Sequence, residues 1–332
     1  MSALKSMNLA IGLALLALAT TGAAYAQETV AAATVTRTLI TEPGQGLTPI
    51  YNLINSARKT IDMTMYELTD TTAENLLVQA AANGVAVRVI LDQDNEKSHN
   101  QAAFTLLSTH GVQVHWANTA YTYTHQKTIT VDGTTSAIMT LNLTSQYYST
   151  SRDFAVIEND AKDVSAIETV FNADFANKKV TPAAGDDLVW SPTNSETSLL
   201  ALINGATSTL SVENEEMDDA DIADALAAAA KRGVHVQVTM TANSSYATEL
   251  NQLKTAGVKI ATYAASAPLY IHAKVIIADF GKTTAKAFVG SENFSNTSLN
   301  KNRELGLMIT ESDILSSLNT TLSSDFKGGT AY

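Results

Sequence analysis

The chain repeats itself, and this constrains its fold more than any other feature. Gly84 returns as Gly233, Gly111-Val112 as Gly257-Val258 and His125 as His272. Arg152-Asp153 returns as Arg303-Glu304, and Asp174-Phe175 as Asp325-Phe326, all at offsets between 146 and 151. The offset is 147 at the histidines and 151 beyond them, so the second copy holds four more residues between His272 and Glu304. The turn around Phe280-Gly281-Lys282 is the expected place for them. Two similar halves are therefore expected, packed together in one molecule.

Each copy reads as strand, helix, strand, helix, then several strands and a closing helix. Gly84 and Gly233 stand where a helix ends, and the Val-rich runs after them read as buried strands. This alternation predicts α/β layers, with helices covering a mixed sheet. Residues 178–195 contain Pro182, Gly185 and Pro192 with no clear period. The expected division is a signal peptide over 1–26, a lead-in over 27–45, a first half over 46–180, a linker over 181–194 and a second half over 195–332.

The chemistry is carried by a motif present in both copies: His125-x-Lys127-x-x-x-x-Asp132 and His272-x-Lys274-x-x-x-x-Asp279. At ordinary residue frequencies such a pattern arises about 0.02 times in a chain of this length. Residues two apart on extended chain share a face, so each His and Lys project together. The Asp has the opposite parity and ends the strand, so it is expected to support the site from behind. Brought together, two ammonium groups can hold the oxygens of one phosphate. Two imidazoles can then serve as nucleophile and proton donor. Asn142 and Asn293 follow one hairpin later and offer amide donors. Asp153 and Glu304 follow one strand later, where a carboxylate can orient an imidazole.

These motifs, the duplication and Gly290-Ser291-Glu292-Asn293 resemble the phospholipase D superfamily, over roughly residues 46 to 328. The resemblance implies two α/β halves about a pseudo-twofold axis with the site at their junction. It implies metal-free phosphodiester cleavage through a phosphohistidine, with no cofactor. Carried over by position, His125, Lys127, Asp132, His272, Lys274 and Asp279 are the catalytic set, with His125 the nucleophile and His272 the acid. Asn142, Asn293 and Ser291 bind substrate, and Asp153 and Glu304 stand behind. One departure is Met139-Thr140-Leu141-Asn142, which replaces the Gly-Ser-Glu-Asn of the second copy.

The N-terminus carries Lys5, an apolar run from Leu9 to Ala19, and Ala24-Tyr25-Ala26. These are the parts of a secretory signal, with cleavage expected before Gln27 and export to the periplasm or medium. Losing Lys5 takes the balance from 21 basic and 33 acidic residues to 20 and 33, a net charge of −13. Non-specific nucleic-acid binding rests on Lys and Arg, so this balance favours a phospholipid at a membrane surface. An endonuclease acting on DNA or RNA is the alternative, and a non-catalytic binding protein a further one. An alcohol in place of water would turn hydrolysis into transfer. No protein partner is inferred, and a monomer is expected.

The chain has no cysteine, which excludes disulfides and thiolate chemistry. His99, His110, His115 and His235 lack partners at metal-ligand spacing and read as structural, with His110 at a helix end. Glu213 to Asp219 is expected to end a strand, open a helix and lie near the pocket mouth. Trp116, Tyr121, Tyr123, Tyr263 and Tyr270 precede the motifs and are candidates for the entrance.

Overall fold

The computed structural model describes residues 34–332. The expected signal peptide lies outside the described residues. Among them, no helix is long and apolar enough to cross a membrane.

The first copy supplies β1 (Arg37–Glu42), β2 (Thr60–Met65), β3 (Ala86–Leu91), β4 (Gln113–Trp116), β5 (Thr128–Val131), β6 (Thr135–Met139) and β7 (Ser151–Glu158). The second supplies β8 (Leu188–Ser191), β9 (Thr209–Glu213), β10 (His235–Thr241), β11 (Lys259–Tyr263), β12 (Tyr270–Ile271), β13 (Val275–Ala278), β14 (Lys286–Gly290), β15 (Glu304–Ile309) and β16 (Thr330–Ala331). They form two mixed sheets in the orders β1-β7-β6-β5-β2-β3-β4 and β16-β11-β10-β9-β13-β14-β15-β8. Within each, the β2- or β9-type strand runs parallel to its helix-linked neighbour and antiparallel to the motif strand. The doubled α/β architecture is as the sequence predicts.

The repeat holds in local detail. Asp70 and Asp219 cap the helices Thr71–Ala82 and Ala220–Lys231, their carboxylates accepting backbone N–H groups of the first turn. Gly84 and Gly233 follow those helices at φ of 87° and 95°, a conformation that stops a helix at little cost only for glycine. The turn from β5 to β6 has three residues and that from β13 to β14 has seven. The four extra residues therefore lie where the drift in offset put them.

Two boundaries move. The lead-in and the linker were expected to stand outside the halves. Instead, residues 37–42 form edge strand β1 against β7, and residues 188–191 form β8 against β15. β1 reads Arg-Thr-Leu-Ile-Thr-Glu, without clean alternation, and β8 lies inside the segment that holds Pro182, Gly185 and Pro192, yet Trp190 is fully buried.

Each half has its own apolar cluster. A third is shared, joining Ile138, Phe154 and Ile167 of the first half to Trp190, Val275 and Leu305 of the second. The halves also exchange backbone. β12 of the second half pairs in parallel with β7 of the first, Tyr270 opposite Ser151. In the mirror arrangement, Thr124 bridges Arg303. The segment entering each motif is thus laid on the strand of the other half that carries a carboxylate.

Candidate active site

This exchange decides which groups meet. Arg303 N–H donates to Tyr123 O and His272 N–H to Arg152 O. Each histidine therefore enters the site beside the residue that follows the partner half's arginine. His125 Nδ1 lies 2.7 Å from Glu304 Oε2, and His272 Nδ1 lies 2.7 Å from Asp153 Oδ1. Both imidazoles are braced by a carboxylate from the opposite half. The arginines cross as well, Arg152 to Asp325 and Arg303 Nη2 to Asp174 Oδ1 at 3.2 Å. That accounts for the repetition of Asp174 as Asp325, which carried no role in the sequence.

The braces are themselves held. Glu304 is fully buried, and its other oxygen accepts from Ser298 Oγ at 2.6 Å and Asn302 Nδ2 at 2.9 Å. Burial opposes its charge, but His125, Lys127 and Ser298 keep its carboxyl below the ordinary range. Asp153 accepts from Thr140 Oγ1 at 2.6 Å. With Nδ1 fixed on a carboxylate, Nε2 of each ring is left for chemistry.

His125 and Lys127 lie just ahead of β5 rather than within it. Lys127 Nζ donates to His125 O at 2.7 Å and sits 4.8 Å from the centre of the Tyr66 ring. Lys274 Nζ donates to His272 O and, at 2.9 Å, to Glu215 Oε2. Both lysines are buried. Asn142 and Asn293 each leave an amide oxygen unpartnered among the described residues. Ser291 is fully buried and its Oγ accepts from Leu305 N, so its hydroxyl pins β14 to β15 as Thr140 Oγ1 pins Phe154 N. Asp132 and Asp279 turn away as the parity argument requires. They accept the backbone N–H groups of residues 58–60 and 207–209.

The two halves differ in charge. Thr64, Tyr66 and Leu141 are matched in the second copy by Glu213, Glu215 and Glu292. The Tyr66 ring stands edge-on to His125, centroids 4.5 Å apart. Glu215 instead ion-pairs with Lys274, lies 3.5 Å from His272 Nε2 and accepts from Tyr270 O–H. Burial lowers the His125 pKa, Glu304 opposes this, and Lys127 adds to it. Burial also takes Lys127 down to about 7, against the pull of Glu304. Burial resists the charge on Glu215, yet Lys274 and His272 hold it far below the ordinary carboxylate range. His125 is thus set in an environment that favours neutral imidazole, whereas both nitrogens of His272 face carboxylates.

The same asymmetry explains the departure at Met139. Gly290 and Gly306 face each other across β14 and β15, and a Cβ at Gly290 would meet Glu292 and Phe288 inside 3 Å. Where the first half has Leu141 for Glu292, Met139 and Ala155 fill that register.

A cleft of about 570 Å³ opens beside His272, lined also by Asn142, Asp153 and Glu215. Tyr147, Tyr148, Tyr270 and Glu42 also line it. Of the five aromatics proposed for the entrance, Tyr270 alone lines it. Trp116 stacks on Phe104, Tyr121 meets Arg303, and Tyr263 O–H donates to Asp325 O. The acidic stretch behaves as expected, Glu213 ending β9 and Asp219 capping the next helix. His99 is a correction. It meets Glu96, three residues before it, at 2.5 Å and approaches Glu67 at 3.9 Å; the first partner stood at i,i+3 spacing in the sequence, and only Glu67 is remote along the chain. His110 ends its helix with Nδ1 on Leu106 O, and His115 stacks on Phe175. Glu42, Tyr147 and Tyr148 were missed altogether. Tyr66 gave a signal, through its match to Glu215 in the repeat.

A family described as "Cardiolipin synthase, PLD-like domain" matches residues 50–175 and 199–326, one match for each copy. A probable cardiolipin synthase of Bacillus subtilis is 28% identical over 138 residues, covering 40% of this chain and 27% of that protein. Cardiolipin synthase A of Pseudomonas syringae is 25% identical over 323 residues, covering 83% of this chain and 65% of that protein. The chain therefore spans less than two thirds of either relative. A phosphatidylserine synthase of Haemophilus influenzae superposes with a TM-score of 0.66 at 12% identity, over 89% of this chain and 87% of that one. A polyphosphate kinase of Porphyromonas gingivalis gives 0.70 at 14%, over 87% and 46%. At such identities the likeness is one of fold alone.

Proposed function

The chain belongs to the phospholipase D-like family of the cardiolipin synthase type, and from that premise we propose that it cleaves a phospholipid phosphodiester through a phosphohistidine. The reading rests above all on the two crossed His–carboxylate pairs, each of which holds an imidazole through Nδ1 on a carboxylate of the opposite half. In the proposed reaction His125 Nε2 attacks phosphorus, and the bond to the head-group oxygen breaks. That oxygen takes a proton from His272 Nε2. His272 then accepts a proton from the incoming water, whose oxygen attacks phosphorus. The P–N bond breaks, releasing phosphatidate and free His125. Lys127, Lys274 and the amides of Asn142 and Asn293 hold the non-bridging oxygens.

A lipid alcohol in place of water would make the enzyme a phosphatidyl transferase, a reading favoured by the names of the two relatives. A nuclease is disfavoured by the −13 net charge of the processed chain and by a cleft wall without Lys or Arg. Export through residues 1–26 is part of the proposal, to be checked by finding Gln27 at the N-terminus of the secreted protein.

The decisive experiment traps the intermediate. His272→Ala, mixed with a short-chain phospholipid and acid-quenched, should carry a phosphatidyl adduct on the His125 peptide by mass spectrometry. An adduct on another residue, or cleavage of single-stranded DNA without any phospholipid turnover, would refute the reading.

A further inference from the structure

The cleft beside His272 is chemically unlike the lysine-lined phosphate position next to it. Glu42, Asp153 and Glu215 line it, with no Lys or Arg on its wall. Tyr147, Tyr148 and Tyr270 add three rings. Tyr148 O–H donates to Asp70 and Tyr270 O–H to Glu215, so these two rings are held in place rather than free to swing. Glu42 ends β1 opposite Asp153 in the sheet register, the second carboxylate of an adjacent pair. It is only 2% exposed, and its Oε1 has no hydrogen-bond partner among the described residues. Burial and Asp153 push its carboxyl up to about 7. Gly46 N–H and the nearby Arg152 ease this only in part, and a carboxylate oxygen left without a partner at such a depth favours a cation that can meet it.

Position says which part of a substrate belongs there. In-line displacement puts the leaving oxygen on the side of phosphorus away from the nucleophile. The cleft borders His272, the proposed acid, and not His125. It therefore adjoins the leaving alcohol. We propose that the cleft is a receptor for the cationic end of an amino-alcohol head group, with Glu42 and the tyrosine rings receiving the ammonium. Lys127 and Lys274 hold the phosphate, so anion and cation sites lie side by side, as a zwitterionic head group requires. Carboxylates accept N–H bonds from a primary ammonium, and ring faces attract either a primary or a quaternary one. This inference rests on the phosphodiesterase reading above for its orientation.

The test uses the full processed chain on vesicles containing phosphatidylethanolamine, phosphatidylcholine or phosphatidylglycerol, with head-group release as the readout. The wild type should prefer at least one zwitterionic lipid over phosphatidylglycerol by about tenfold in kcat/KM. Glu42→Gln should reduce that preference several-fold through KM, with kcat for the zwitterionic lipid held. Its thermal stability should be equal or higher, whereas a purely structural Glu42 would leave it less stable. A loss confined to phosphatidylethanolamine identifies a hydrogen-bonded ammonium, and an equal loss with phosphatidylcholine identifies ring and charge attraction. Turnover of phosphatidylglycerol equal to or above both, or a preference unmoved by Glu42→Gln, overturns the inference and leaves the phosphodiesterase reading standing. If no phospholipid is turned over, that reading fails, and calorimetric titration of ethanolamine and choline against glycerol judges the cleft alone. Amine binding lost in Glu42→Gln upholds it, and no amine binding rejects it.

Discussion

Asp279 closes the second motif, but the structure gives it work in the scaffold, and removing it separates the two roles. Its carboxylate accepts N–H groups of Thr207 at 2.9 Å, Ser208 at 2.6 Å and Thr209 at 3.2 Å, and the hydroxyl of Thr207 at 2.8 Å. These bonds lash the approach to β9 onto the end of β13. In Asp279→Ala three backbone donors lose a charged acceptor, at about 1 kcal/mol each once water replaces part of every bond. Alanine at a φ of 55° adds about 1 kcal/mol, for a total near 4 kcal/mol. Asp279→Asn keeps one acceptor oxygen and the tolerance for that φ, and should cost about half as much. With an unfolding entropy of about 0.6 kcal/mol/K for roughly 300 residues, the melting temperature should fall by about 6 °C and 3 °C.

The effect has a pH signature. Burial opposes the charge of Asp279, but Thr207, Ser208 and Thr209 bind it and hold its carboxyl below the ordinary value. A depressed carboxyl stabilises fully above its unfolded value, near 3.9, and this is lost as pH falls through the lower folded value. The gap between wild type and variant should stay flat from pH 7 to about 5 and close below 4. Over the same range kcat should change by less than about threefold. Differential scanning calorimetry across pH, paired with turnover, makes the check. A hundredfold loss of kcat with an unchanged melting temperature would refute the scaffold role.

Three further outcomes follow from the site. Asp153→Asn and Glu304→Gln should each lower kcat by two orders of magnitude or more, and the double variant should fall far short of the product. An activated nitrophenyl leaving group should rescue Asp153→Asn, which acts through the acid His272, and not Glu304→Gln; equal rescue of both would reverse or remove the assigned roles. The Lys127 ammonium, taken down to about 7, should give kcat/KM a descending limb near neutrality as the cation is lost with rising pH. Lys127→Arg should move that limb upward if it retains activity, and an unmoved limb would assign it to another group. Chelators should leave the rate unchanged, because Lys127 and Lys274 already supply the positive charge at phosphorus, and loss in EDTA restored by one divalent ion would contradict this.

Much of the molecule was readable because duplication records tertiary roles as sequence offsets. The place of Asp279, the pairing of His with Lys and the four-residue turn insertion all came from position and parity. The crossing of Asp153 to His272 and of Glu304 to His125 did not, because an offset links equivalent residues and says nothing about which copies touch. Edge strand β1 does not alternate cleanly, and β8 lies within the Pro- and Gly-bearing segment read as a linker. Glu42, Tyr147 and Tyr148 reach the cleft from a strand end and a loop that have no motif of their own. Ser291 illustrates the opposite limit. Its place in the Gly-Ser-Glu-Asn run suggested substrate contact and gave no sign that its oxygen also accepts the backbone amide of Leu305.

The exchanged braces also set when activity can begin. A ribosome delivers the first half complete with His125, Lys127 and Asn142, yet Glu304 is still more than a hundred residues from being made. Until it arrives, His125 has no carboxylate to fix its tautomer. A product that ends before Glu304 lacks the His125 dyad, and one that ends before His272 lacks both. The bracing of both imidazoles therefore waits for β15, late in synthesis, to be laid against the first half.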